Sequence, residues 1–97
     1  MRISIVGSGA VGQAVGRGLM ALGNEVVFFD IDAERVRGLR GLGLDATDDM
    51  NRAVQGSDIS FVCVPTPTKG GAIDLGPFKA AIGDLASALR AKGAIIW

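Results

Sequence analysis

The chain carries no net charge, a single cysteine and no long apolar run, and each shortage removes a class of function. Ten basic and ten acidic side chains cancel. No field is left to hold a phosphate backbone or an anionic surface, so neither nucleic acid nor membrane is an expected partner. No apolar stretch approaches the roughly 20 residues of a membrane helix. One cysteine cannot close an internal disulfide, and Met1-Arg2 leads straight into a strand-like segment rather than a secretory signal. Both features favour the cytoplasm. Internal repeats, interdomain linkers and metal-ligand clusters are missing too, so residues 1–97 are read as one domain.

What the chain does have is apolar residues and glycine. Apolar residues make up 48% of it and charged residues 21%, the balance of a folded globular protein. Its glycines fall mainly between apolar runs and act as punctuation. Arg2 to Val6 is a β-branched run that stops at Gly7, a strand followed by a turn. From Ala10 the period changes, and Val11, Val15, Leu19 and Leu22 recur at helical spacing until Gly23-Asn24. Glu25 to Phe29 is a second strand ending at Asp30, and Asp32 caps a short helix through Val36 and Leu39. After the break at Gly41 to Gly43, Leu44 to Ala46 is a brief third strand. Thr47 or Asp48 caps a helix carrying Met50, Ala53 and Val54, ended by Gly56.

Ile59 to Val64 is a fourth strand, continuously apolar as expected for burial on both faces. Pro65 to Ala72 is a loop, with Lys69-Gly70-Gly71 its mobile part. A long helix follows from about Leu75 to Ala91, placing Phe78, Ile82, Leu85 and Leu89 on one core-facing stripe. Ala94 to Trp97 begins a fifth strand, whose apolar edge is expected to promote self-association. Strands alternating with helices imply right-handed βαβ units. The expected fold is an α/β, Rossmann-type doubly wound parallel sheet of order 3-2-1-4-5.

The chemistry sits at the first turn. Gly7-Ser8-Gly9-Ala10-Val11-Gly12 follows the first strand directly and opens the first helix. A GxGxxG run has dinucleotide-binding meaning in that context. Gly7 permits the tight turn, Gly9 removes a Cβ where a pyrophosphate must approach, and Gly12 allows close helix–strand packing. Ala10 and Val11 then begin a helix whose N-terminal N–H groups face the phosphates. Asp30 stands at the end of the second strand, at about the expected interval of 20 residues, where its carboxylate would accept from ribose hydroxyls. It would repel a 2′-phosphate, and Ile31-Asp32 offers no adjacent cation, so the expected cofactor is NAD. Val64-Pro65-Thr66-Pro67-Thr68 follows the fourth strand at the ligand-binding edge. A rigid strand-ending turn and a lining of the cofactor groove both fit it.

Three stretches resemble the N-terminal NAD-binding domain of the UDP-glucose/GDP-mannose dehydrogenase family: MRISIVGSGAVG, GNEVVFFDIDAERV, and ATDDMNRAVQGSDISFVCVPTPT. The resemblance implies two-step, NAD-dependent oxidation of a sugar-nucleotide C6 alcohol to a carboxylate through cysteine-bound intermediates. It places Gly7, Gly9 and Gly12 in the pyrophosphate loop and Asp30 at the ribose. Arg35 matches a basic residue on the adenosine side, and Val64, Pro65 and Thr66 match the loop beside the cofactor. Cys63 does not match the family nucleophile and is read as core. Ala10 replaces a bulky aromatic residue, and the interval around Gly41 to Leu44 is shorter than in the family. No catalytic residue is expected here. The chain alone is expected to bind NAD or another ADP-containing nucleotide without turnover, and a UDP- or GDP-sugar only through a further domain. A stand-alone NAD- or adenine-nucleotide-sensing regulatory module and a scaffold without retained binding are the alternatives.

Overall fold

A computed structural model describes residues 1–64, 68–73 and 75–92. Strands β1 (Arg2–Val6), β2 (Glu25–Phe29), β3 (Asp45–Thr47) and β4 (Ile59–Val62) form one parallel sheet in the order β3-β2-β1-β4. Helices α1 (Ala10–Ala21), α2 (Ala33–Gly41), α3 (Met50–Gln55) and α4 (Gly76–Lys92) alternate with them or follow. The expected class and order hold for these four strands. The fifth strand expected at Ala94–Trp97, and the edge proposed for self-association, lie outside the described residues.

Alternation along each strand separates two cores. Ile3, Ile5, Val26 and Phe28 pack with Val36 and Leu39 of α2, joined by Val15 and Leu19 of α1. Val6 and Phe29 point the other way and pack with Met50, Ala53 and Val54 of α3 and Leu85 and Ala88 of α4. Val6 is level with both Phe29 and Val62, so β1, β2 and β4 all end at one carboxyl edge.

Beside Val15 and Leu19, helix α1 makes its closest approach to the sheet through glycines. Gly12 and Gly16 are its buried positions, whereas Val11 and Leu22 are exposed. A Cβ on Gly12 would collide with the Gly7 carbonyl, and one on Gly16 with the Phe28 ring. Helix and sheet therefore approach closer than side chains would allow.

The short interval after α2 is a closed turn. Gly43 N donates to Arg40 O at 3.0 Å and Leu44 N to Leu39 O at 3.1 Å, with Gly43 at φ +82°. This is the paired-bond ending in which only glycine takes the left-handed residue without strain. α1 ends the same way at Gly23. The chain thus passes from α2 into β3 with its helix-end carbonyls satisfied.

Several sequence expectations shift. β3 runs one residue later than Leu44–Ala46, and Asp49, not Thr47 or Asp48, caps α3 by accepting from Asn51 N and Arg52 N. Thr47 is held in the strand, and its Oγ1 accepts from Asp49 N. β4 stops at Val62 because Gly7 turns its neighbour β1 away; Cys63 makes one last bond, N to Val6 O at 2.7 Å. Nor is β4 buried on both faces, since Ile59 and Phe61 are 43% and 39% exposed. They lie beside Ile3 and Ile5, on the face where α1 covers β1 and β2. On α4 the core stripe is Ala81, Leu85, Ala88 and Leu89, while Phe78 and Ile82 are exposed. The two alanines bring α4 close to α3, which turns the bulkier pair outward. Lys69-Gly70-Gly71 is no loose loop: β5 (Thr68–Lys69) and β6 (Ala72–Ile73) pair antiparallel across two glycines at φ +60° and +80°. That geometry is the type I′ hairpin turn.

The glycine contact predicts opposite effects two residues apart. Gly16→Ala should cost about 1–3 kcal/mol, the usual penalty for overpacking a core. Gly18, on the same helix with nothing within 4 Å of its missing Cβ, should gain about 0.5–1 kcal/mol on mutation to Ala. Equilibrium urea unfolding measures both.

Candidate cofactor site

The three strand ends at the carboxyl edge supply the site. Past β1 the chain turns at Gly7, whose φ is +95°. A Cβ there would also lie 2.9 Å from the Cys63 carbonyl and Val64 Cγ1. Glycine is required at this position both by conformation and by the neighbouring strand end. Ser8 follows and is fully buried; its N–H donates to Asp30 Oδ2 at 3.0 Å and its hydroxyl to Phe29 O at 2.9 Å. Asp30 Oδ1 accepts from Asp32 N at 2.9 Å. The Asp30 carboxylate thereby links the glycine loop to the end of β2.

Arg35 completes the cluster. One turn into α2, its Nη1 lies 3.4 Å from Asp30 Oδ2 and 3.5 Å from where a Gly9 Cβ would stand. Ile31 and Asp32, the neighbours of Asp30 in sequence, offer no cation, but the helix returns Arg35, which the resemblance had put on the adenosine side, to that spot. Asp30 is 8% exposed, and Arg35 lies at its open side. A carboxylate has about four lone-pair positions. Two backbone N–H groups and one loose guanidinium contact leave room for a ribose hydroxyl.

The start of α1 differs from the starts of α2 and α3. Asp32 caps α2 and Asp49 caps α3, each through its side chain. Gly9 caps α1 with no side-chain bond, and no acidic residue stands in its first turn. The free N–H groups and the positive end of the helix dipole at Ala10, Val11 and Gly12 fit an anionic group. The residues present thus suit a pyrophosphate beside a ribose. Gly7, Gly9, Gly12, Asp30, Arg35 and Val64 lie together at this edge, with exposed Ala10 and Val11 on the adjoining helix turn. Pro65 and Thr66 lie outside the described residues. Sequence reasoning missed Ser8 and Gln13, which donates from Nε2 to Ser8 O at 2.9 Å. Ser8 was legible in principle, since it is the variable residue between the two glycines facing Asp30.

A cleft of about 550 Å³ opens at the opposite, amino edge of the sheet. Its charges answer one another: Arg2 pairs with Glu25 at 2.6 Å and Arg52 with Asp45 at 3.0 Å. Hydrogen bonding to Arg2 holds the Glu25 carboxyl below the usual range. The carboxyl edge, in contrast, offers uncapped donors. Among the described residues no group of histidine, cysteine and carboxylates could hold a metal, and no helix is long and apolar enough to cross a membrane.

Strand order, glycine turn and strand-end acid define a Rossmann-type domain of the dinucleotide-binding class. Residues 2–76 match the family described as NADP oxidoreductase, coenzyme F420-dependent, and the chain belongs to that family. It also matches the N-terminal region of the sugar-nucleotide dehydrogenases whose motifs it shares. GDP-mannose 6-dehydrogenase of Pseudomonas aeruginosa is 34% identical over 95% of this chain and 26% of its own length. UDP-glucose 6-dehydrogenase of Haloferax volcanii is 35% identical over the same shares. The solved UDP-glucose dehydrogenase of Pyrobaculum islandicum superposes with a TM-score of 0.87 at 29% identity, over 95% of this chain and 26% of that one. The chain spans about a quarter of the length of the relatives it matches. The first alignment runs over 113 positions against 97 residues here, so the relative carries extra residues within the matched region. A short interval near Gly43 is consistent with that.

Cys63 packs partly buried against the α1-side core, and burial pushes its thiol up. It should therefore react with iodoacetamide at pH 8 more slowly than glutathione does, because the thiolate is the nucleophile. A faster rate would mark it as an activated residue.

Proposed function

We propose that this chain is the NAD-binding domain of a UDP-glucose/GDP-mannose dehydrogenase-like oxidoreductase, and that it holds the ADP portion of the cofactor. The observation that carries this reading is the pairing of an uncapped, glycine-lined start of α1 with a buried carboxylate bonded to the same loop. Gly9 receives the pyrophosphate, Asp30 accepts from the adenosine ribose, and Arg35 covers the adenosine side. Val64, at the end of the fourth strand's run, borders the groove toward the nicotinamide.

The matching family's description names NADP, whereas the local chemistry favours NAD. A 2′-phosphate at the ribose would meet the Asp30 carboxylate, and the nearby guanidinium of Arg35 is already engaged with it. The bound nicotinamide would supply the hydride chemistry, and the protein residues described here bind and orient. Oxidation of a sugar-nucleotide alcohol would need catalytic groups and a sugar site from outside this chain, so the chain alone binds cofactor without turnover.

Calorimetric titration with NAD, NADP and UDP-glucose tests the reading. NAD should bind, NADP more weakly, and UDP-glucose not at all. Asp30→Ala should weaken NAD by roughly 1–3 kcal/mol, the cost of leaving the ribose hydroxyls without their acceptor. An unchanged affinity would remove Asp30 from the site.

A further inference from the structure

Gln13 has no part in the roles assigned so far, yet it is bonded to the centre of the glycine loop. It stands one turn past Gly9, half-buried on α1. Its backbone N donates to Gly9 O at 2.9 Å, as any helix residue there would. Its side chain does something further. Nε2 donates to Ser8 O at 2.9 Å, taking hold of the carbonyl that belongs to the Ser8–Gly9 peptide.

Holding that carbonyl sets the direction of the N–H on the same peptide. Every described peptide is trans, and in a planar trans peptide C=O and N–H point in opposite directions. With the carbonyl drawn back against Gln13, the Gly9 N–H is turned to the far side. No partner among the described residues accepts it. The preceding peptide is fixed just as firmly, since Ser8 N–H goes to Asp30 and Ser8 Oγ to Phe29 O. Ser8 is thus held at its N–H, hydroxyl and carbonyl, and Gln13 is the side chain that holds the third.

We infer that Gln13 is a positioning residue for anion binding: its amide keeps the Ser8 carbonyl out of the phosphate's path and leaves the Gly9 N–H directed at a phosphate oxygen. The inference rests on the nucleotide-binding reading above and extends it to any ligand with a diphosphate at this loop. Without the amide, the Ser8–Gly9 peptide is free to rotate and present a carbonyl, the negative end of its dipole, to a pyrophosphate. Glutamate at this position would fail twice, because a carboxylate cannot donate and would repel the ligand.

The test compares ADP with adenosine, which shares the base and ribose but lacks phosphate. Wild type, Gln13→Met and Gln13→Ala are titrated with both ligands by calorimetry, with thermal melts confirming that each is folded. Wild type should bind ADP more tightly than adenosine. Both variants should lose roughly five- to tenfold in ADP affinity, the worth of about one hydrogen bond, and keep adenosine affinity within about twofold. Equal losses for both ligands would make Gln13 a merely structural residue and overturn the inference, as would unchanged ADP binding. If wild type binds neither ligand, the nucleotide reading itself fails, an outcome distinct from a variant that spares ADP.

Discussion

The site depends on the contact between a backbone N–H and a carboxylate, Ser8 N to Asp30 Oδ2 at 3.0 Å. It joins the turn after β1 to the end of β2 where both are buried. A buried N–H without an acceptor and a buried carboxylate without donors would each be costly, so each residue satisfies the other. The remaining features follow. Gly7 must turn sharply to bring Ser8 under Asp30, and Gly12 must lack a side chain because the Gly7 carbonyl lies against it. The start of α1 then remains uncapped above the loop, with Arg35 alongside.

This constraint explains which parts of the molecule were legible in the sequence. Local signals carried the strands at Arg2–Val6 and Glu25–Phe29, the glycine loop and Asp30, because turn chemistry and β-branched runs act over a few residues. Arg35 beside Asp30 was not legible from neighbouring residues, since it depends on the direction in which α2 leaves its cap at Asp32. The role of Gln13 was hidden for a similar reason: its bond is to a backbone atom, and backbone atoms leave no mark in a sequence. Helical periodicity placed two buried faces only in part. On α1 Val15 and Leu19 meet the core as expected, but Val11 and Leu22 are exposed and the closest contact is made by Gly12 and Gly16. On α4 Leu85 and Leu89 meet the core as expected, but Phe78 and Ile82 are exposed and Ala81 and Ala88 pack in their place. In both cases small residues set the approach distance, and a hydrophobicity pattern counts them as weak. The end of β4 was overrun because apolar residues continue to Val64 after β1 has turned away and no partner remains.

The comparisons and the geometry agree on a nicotinamide-nucleotide domain and differ in emphasis. The family description names NADP, and the sugar-nucleotide dehydrogenases share the longer motifs. The chain matches about a quarter of those relatives' length. The tight turn at Gly43 satisfies its own helix end, so the shortened interval is compatible with an intact sheet and with the site at its opposite edge.

Amide chemical-shift mapping during an ADP titration tests the central claim most directly, because the two edges of the sheet give separate signals. The account predicts shifts concentrated at Ser8 to Gly12 and around Asp30 to Arg35, with Arg2, Glu25, Asp45 and Arg52 unmoved. Shifts centred on the amino-edge cleft, with the glycine loop silent, would contradict it.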